Sequence, residues 1–209
     1  MSVLNRIAHF QNRRDEVPNQ ELAKLLASKQ DKKGIREIAD NLWSEDRNVQ
    51  SNCLKVLYEI GFIKPALVAA YVGDFLKLSQ SKNNRLVWGS MIALSTVADL
   101  ESDEIYTHFS KIQKAIEKGS VITIDNGIKT LAIVASKKDT HRKKVFPYLL
   151  KHLETCRPKD IPQHSEKIIL AVNTHNKAAF VRTLERRTPE LSASQATRVK
   201  RVVKRAEKL

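Results

Sequence analysis

Three residues that could bind a nucleic-acid base lie at regular spacings in the middle of the chain. Trp88 and Asp125 are 37 residues apart, and Lys129 follows Asp125 by one helical turn. A base could stack on the tryptophan ring, while the carboxylate and the ammonium group would handle charge and phosphate. The alternative interpretation is structural, because Trp is usually largely buried. In that case Trp88 would belong to the core and Asp125 would accept a hydrogen bond between helices.

A second set of candidate residues is cationic and lies close to the C-terminus. The set comprises Arg182, Arg186, Arg187, Arg198, Lys200, Arg201, Lys204 and Arg205. On an α-helix Arg198, Arg201 and Arg205 follow i, i+3, i+7 spacing and share one face, whereas Val199 and Val202 lie on another. Aromatic residues are sparse in this segment, so the pattern predicts contacts with a phosphate backbone rather than stacking on single-stranded bases.

The net charge of the chain is concentrated in the same region. Of the formal +14, residues 137–209 carry 19 Lys and Arg against 7 Asp and Glu, a net charge of +12. Residues 1–136 carry 18 against 16. Such an excess indicates either a solubilising, solvated face or an anionic partner, most often nucleic acid. We therefore predict contact with the backbone of DNA or RNA, with a protein partner as the alternative.

Sequence motifs of other chemistries are missing. The chain contains no HExxH, GxSxG, GxxxxGK[ST] or GxGxxG motif, and its six glycines leave little material for a phosphate-cradling loop. His141 and His152 are 11 residues apart, as are His164 and His175. On a straight helix such a spacing separates two residues by roughly 16 Å, too far for one metal ion. We predict no metal site and no cofactor.

Cysteine usage and hydropathy both indicate a cytoplasmic protein. Cys53 and Cys156 are far apart and form no CxxC motif, so neither a disulfide framework nor a zinc site is predicted. Each cysteine is expected to fill core as a small hydrophobe. The first residues lack a signal-peptide pattern, and no apolar run approaches the roughly 20 residues that cross a bilayer, so no membrane contact is expected.

An internal repeat predicts the elements that would position these residues. One series of apolar residues steps by 37 and comprises Leu57, Leu94 and Leu131. A second series with the same step falls between its members and comprises Ile38, Phe75, Ile112 and Leu149. Ile168 follows Leu131 by 37 residues and extends the period into the basic region. Two interleaved helix series with one period are typical of stacked helical pairs.

These patterns predict an all-α fold. The expected structure is a right-handed α-solenoid of about five stacked helical pairs, with roughly eleven helices and no sheet, in a single domain over residues 1–209. Asp46 is expected to cap the helix that follows it, and Gly61 to end that helix. Pro147 lies inside a predicted helix, which must start late or kink there. Ser192 and Gln195 form a capping-box pattern for the last helix.

The helical pairs resemble those of the HEAT-repeat (armadillo-like) family. The pattern is a helix with a kinking proline, a turn with Asp or Asn, and a second helix with V-x-x-x-C/A-L-x-x-L. It is carried by Asp46, Val49, Cys53, Leu54 and Leu57, with Pro147 for the kink. Gln50 departs from the family pattern, in which Arg is common at that position. The resemblance implies a non-enzymatic binding scaffold that uses the surface of its second helices.

One branch of HEAT-like proteins of similar size and basic charge, the alkylpurine DNA glycosylases, excises bases from alkylated DNA. The chain is loosely similar to this branch, which implies an alternative function as a DNA repair enzyme with Trp88, Asp125 and Lys129 in its site. A protein–protein scaffold with a neutral groove is a third alternative. The leading hypothesis is a binding module that engages nucleic acid or another polyanion through its basic C-terminal third.

Overall fold

A computed structural model describes residues 2–209. Within these residues the chain forms α-helices and short 3₁₀ turns and no β-strand, which confirms the predicted all-α class. Twelve α-helices are present in this part of the chain, where roughly eleven were expected. The chain divides into two compact units, Met1–Gly127 and Ile128–Leu209, which we describe in turn. The expectation of one domain over 1–209 stays a prediction.

The first unit opens with two 3₁₀ turns, Leu4–Arg6 and His9–Gln11. Its α-helices are α1 (Val17–Lys29), α2 (Lys32–Asp40), α3 (Arg47–Ile63), α4 (Val72–Leu78), α5 (Asn84–Val97), α6 (Ser102–Thr107) and α7 (Phe109–Lys118). The next helix, α8 (Val121–Lys137), contains the unit boundary. The repeating apolar residues of this unit are all fully buried: Ile38, Leu57, Phe75, Leu94 and Ile112.

Helix α3 lies at the centre of the first unit and packs against α1 and α5. Asp46 caps it as predicted, because its carboxylate accepts hydrogen bonds from the backbone N–H groups of Asn48 (2.7 Å) and Val49 (3.4 Å). The bond from Asn48 is the main reason that the pKa of Asp46 lies below its usual value. The prediction for Gly61 is wrong, since α3 continues through it to Ile63.

Gly61 has a packing role instead. A Cβ atom at this position would overlap the Oγ1 and Cβ atoms of Thr96 in α5. The hydroxyl of Thr96 donates to the carbonyl of Ala93 at 2.7 Å, which fixes the side chain in place. The missing side chain of Gly61 therefore allows α3 and α5 to approach closely.

The second unit contains the remaining helices, which are α9 (Asp139–Thr155), α10 (Ile161–Ile168), α11 (Lys177–Arg187) and α12 (Ala193–Glu207). Pro147 lies inside α9, which runs from Asp139 without a late start. The capping box of α12 is confirmed: Ser192 Oγ accepts from the Gln195 N–H, and Gln195 Oε1 accepts from the Ser192 N–H. The fully buried core of the unit includes Leu131, Leu149, Ile168, Phe180, Leu184 and Val199. None of the helices described over residues 2–209 has both the length and the apolar character that crossing a bilayer requires.

Replacing Gly61 by Ala is expected to lower the free energy of unfolding by about 1–3 kcal/mol, because the added methyl group overpacks the contact with Thr96. Gly73 in α4 is the matched control. Among the described residues, apart from its chain neighbours and the adjacent helix backbone, no atom lies within 4 Å of its Cβ position. Gly73→Ala should therefore raise the free energy of unfolding by up to about 1 kcal/mol through helix propensity. Chemical denaturation measures both changes, and equal effects would contradict the packing role of Gly61.

Candidate functional site

Helix α12 presents an exposed basic face. Its buried residues Val199, Val202 and Ala206 dock the helix onto the second unit. At 100° per residue the opposite side of the helix carries four exposed cations, Lys200, Arg201, Lys204 and Arg205. We call these four residues the α12 basic face. The predicted division of this helix into an apolar side and a cationic side matches its burial pattern.

Among the residues that the structure describes, the cations of the α12 basic face have no acidic partner. In the part of the chain that the structure describes, none of the four side chains forms an ion pair or a hydrogen bond. Lys200 and Lys204 are four residues apart, as are Arg201 and Arg205, so each pair of like charges lies on adjacent turns. Such pairs destabilise a helix by about 0.2–0.5 kcal/mol each. An anion bound on this face would relieve that repulsion.

Two other arginines of the predicted set are partly neutralised by carboxylates. Arg198 binds Glu166 of α10 through two bonds, Nε to Oε1 at 2.9 Å and Nη2 to Oε2 at 2.7 Å. Arg186 Nη2 lies 3.1 Å from Glu154 Oε1, and this bond holds the pKa of Glu154 below its usual value. Both pairs are exposed and contribute at most about 1 kcal/mol, so a strong anion could displace the carboxylates. Arg182 is exposed.

Arg187 is buried and therefore lies outside the α12 basic face. Its guanidinium donates to the carbonyl oxygens of Leu153 (2.7 Å) and Cys156 (2.9 Å) at the end of α9 and pairs with Glu190 at 2.8 Å. Hydrogen bonding to Glu190 raises the pKa of Arg187 above its usual value. The side chain thus satisfies carbonyl groups that the end of a helix leaves without partners. Its role is to hold α11 against α9.

Replacing Arg187 by Met should cost about 2–4 kcal/mol of unfolding free energy, because one buried and one partly buried carbonyl group lose their donor. Arg186→Met is the matched control: this neighbouring side chain is exposed, and its loss should cost no more than about 1 kcal/mol. Thermal and chemical unfolding of both variants provide the measurement. A cost for Arg187→Met no larger than that for Arg186→Met would contradict the structural role.

Trp88 lines a cavity of about 600 Å³ in the first unit rather than belonging to the core. The N-terminal segment, α3 and α5 wall this cavity, and Lys55 and Arg85 are among the lining residues. Of the residues described, Asp125 is not one that lines it. Asp125 and Lys129 lie one turn apart on α8, each half-buried, and burial lowers the pKa of Lys129. The cavity therefore does not combine Trp88 with the carboxylate that the predicted column assigns to it.

Lys55 is the most enclosed cation of this cavity. Its Nζ lies 2.6 Å from Glu16, 2.7 Å from Glu59, and 4.9 Å from the centre of the Tyr58 ring. Burial by itself would lower the pKa of Lys55, but the bonds to the two glutamates outweigh burial and raise it. Lys55 is therefore a fixed cation with two acidic partners. The first unit as a whole is nearly neutral, with 17 Lys and Arg against 16 Asp and Glu.

Two histidines and a cysteine meet in the second unit. His152 Nε2 and His164 Nδ1 are 2.9 Å apart, and one donor atom from each of His152, Cys156 and His164 lies within 4.8 Å of the others. The spacing prediction considered His141 with His152 and His164 with His175, and its conclusion that no metal cluster forms does not hold for His152 and His164. It compared residues along straight helices, whereas the turn after α9 reverses the chain and brings α10 back. In the sequence, the spacing of four residues between His152 and Cys156 indicates that these two side chains share one helix face.

The two cysteines lie in different surroundings. Cys53 is fully buried in α3, as predicted, and burial raises the pKa of its thiol to about 12. Cys156 lies at the C-terminal end of α9 and is only half-buried, so the expectation that it fills core is wrong. Burial raises the pKa of the Cys156 thiol to about 11.

Comparison with known proteins identifies the fold. No protein-family model and no curated protein matches the chain. Among solved structures, an engineered protein is 16% identical with a TM-score of 0.70, covering 100% of this chain and 98% of its own. A designed armadillo repeat protein in complex with the peptide (KR)4 is 15% identical with a TM-score of 0.71, covering 98% and 99%. A second designed armadillo repeat protein is 14% identical with a TM-score of 0.68, covering 96% and 98%.

These likenesses support the predicted helical-repeat architecture and do not extend to the DNA glycosylase branch. At 14–16% identity they establish the fold alone. The chain has an all-α, armadillo-like solenoid fold.

Proposed function

We propose that this protein is a non-enzymatic armadillo-like binding module that engages the phosphate backbone of DNA or RNA through its second unit. The observation that carries the proposal is the α12 basic face, with four exposed cations that lack acidic partners in the described chain. Neutral proteins usually intersperse charges of both signs on their surfaces. An uncompensated row of cations on a docked helix is suited to a ligand with regularly repeated negative charges.

The chemistry of this face favours backbone contact over base reading. Lys200 and Lys204 are separated by one turn of about 6 Å along the helix, and Arg201 and Arg205 repeat the same step beside them. Helix α12 carries no aromatic residue on which a base could stack. Lysine and arginine contacts to phosphate supply affinity without sequence information. The proposed binding is therefore sequence-independent and depends strongly on salt concentration.

The charge of the second unit is unsuited to a basic peptide such as the one that a structural neighbour holds. Residues 128–209 carry 20 Lys and Arg against 7 Asp and Glu, so the second unit would repel such a peptide. A protein partner for this unit would have to be acidic. The glycosylase alternative gains no support from the geometry, because Trp88 lines its cavity with Lys55 and Arg85 rather than with Asp125.

The test is binding of the full chain to fluorescent duplex DNA and to single-stranded RNA, followed by anisotropy over a series of salt concentrations. The variant R201E/K204E/R205E should lose at least about tenfold in affinity. Its plot of log K against log salt should be less steep by about 2 to 3, because about 0.9 counterions are released per phosphate contact in B-DNA. Arg198 is left intact, since its replacement would also break the pair with Glu166.

The matched control is K24E/K29E/K33E, which makes the same change of charge on exposed lysines of the first unit. In this variant the slope of log K against log salt should fall by no more than half as much as it falls in R201E/K204E/R205E. Circular dichroism checks that both variants are folded. If both variants lost affinity equally, the overall charge of the protein rather than the α12 basic face would account for binding, which would contradict the proposal. Absence of binding at low salt would also contradict it. Binding to an acidic peptide in preference to nucleic acid would assign the face to a protein partner.

A further inference from the structure

We propose that His152, Cys156 and His164 form a binding site for one zinc ion in the second unit. The proposal is independent of the basic face, since none of these residues belongs to it. Imidazole nitrogen and thiolate sulfur are the preferred protein ligands of Zn²⁺. Three side chains of these two types converge on one point from two helices that are consecutive in the chain. The sequence contains only two cysteines and six histidines, and the cluster uses three of these eight residues.

The distances suit a tetrahedral ion after small side-chain movements. With Zn–N bonds of about 2.0–2.1 Å and a Zn–S bond of about 2.3 Å, tetrahedral angles separate two nitrogens by about 3.3 Å and a nitrogen from sulfur by about 3.6 Å. The nitrogens of His152 and His164 are 2.9 Å apart, and no pair of donor atoms in the cluster exceeds 4.8 Å. Rotations of the side chains that move an atom by about 1 Å would complete the geometry.

The backbone at the end of α9 already holds two of the ligands in place. His152 occupies the last turn of α9, and the N–H of Cys156 donates to the His152 carbonyl at 2.8 Å. Arg187 binds the Cys156 carbonyl at 2.9 Å from the neighbouring helix. The ligands at positions 152 and 156 therefore sit on a segment that is fixed by hydrogen bonds from two directions.

The third ligand arrives on an equally restrained segment. A 3₁₀ turn, Pro158–Asp160, connects α9 to α10, and Pro162 occupies the first turn of α10. The Arg157 guanidinium pairs with Asp160 at 2.6 Å across this turn. His164 follows in α10 with only 1% of its surface exposed. Because the linker is already restrained, less conformational entropy would be lost when a metal ion binds.

The ligand set indicates how the ion would be coordinated. Two imidazoles and one thiolate fill three positions of a tetrahedron and leave the fourth to water or to an incoming ligand. The half-buried state of His152 and Cys156 gives the ion a path from solvent. In this arrangement zinc would connect α9 to α10 and stabilise the second unit. The competing interpretation is a hydrogen bond between two neutral imidazoles next to a free thiol, with no affinity for metal.

Cobalt titration of the reduced, metal-free full-length chain tests the site, because Co²⁺ takes the place of Zn²⁺ and has a visible spectrum. We expect one equivalent to produce the d–d bands of a tetrahedral ion together with a sulfur-to-cobalt charge-transfer band. Addition of Zn²⁺ should bleach both. Zn²⁺ should also raise the melting temperature, since a ligand that binds only the folded state stabilises it.

The two cysteines provide a matched pair of variants. Cys156→Ala should abolish the charge-transfer band, whereas Cys53→Ala should leave it unchanged. His164→Gln should weaken cobalt binding at least about tenfold, and circular dichroism checks that this buried substitution leaves the chain folded. Absence of a tetrahedral spectrum at about a hundredfold excess of Co²⁺, a spectrum without the sulfur band, or an unchanged spectrum in Cys156→Ala would each overturn the proposal.

Discussion

A pair of short amphipathic helices can bury its apolar side only against the pairs that precede and follow it in the chain. Residues that meet a neighbouring pair must then return at the same turn of each successive helix, and the 37-residue spacing follows from this requirement. Leu57 in α3 and Leu94 in α5 show the result, since both are fully buried. The two helices approach so closely that Gly61 has no room for a side chain. The interior of each unit therefore depends on register, and the candidate surfaces take their positions from it.

Register also explains how much of this molecule could be predicted. The all-α class, the buried residues of the repeat and the caps at Asp46 and Ser192 depend on a few neighbouring positions, and these predictions are confirmed. The prediction that Arg187 contacts a polyanion assumed an exposed side chain, because arginine usually lies on the surface, whereas Arg187 is buried. Its spacing from Phe180 and Leu184, seven and three residues, in fact places it on the buried side of α11. Periodicity predicts which face of a helix a residue occupies. The hydrogen-bond partners of a charged side chain, however, depend on which other helix packs beside it.

The candidate sites illustrate the same limit at longer range. Trp88 and Asp125 share a position in the repeat, yet the cavity beside Trp88 is completed by residues from the N-terminal segment and α3. No repeat rule includes that segment, because it precedes the first full repeat. The convergence of His152 and His164 depends on a turn that contains proline, whose direction the period does not specify. The candidate sites of this fold thus lie where the repeat is interrupted or ends.

The bidentate pair between Arg198 and Glu166 has a consequence for selectivity. A carboxylate held on the surface acts as a tethered competitor at a high local concentration for any anion that approaches this arginine. Small monovalent anions would seldom displace it, whereas a polymer that is already anchored on neighbouring cations would compete on equal terms. If the basic face binds an anion as proposed, the acidic residue beside the cations would favour ligands with many charges over ligands with one. Internal competition of this kind lets a strongly basic surface remain selective in a solution crowded with simple anions.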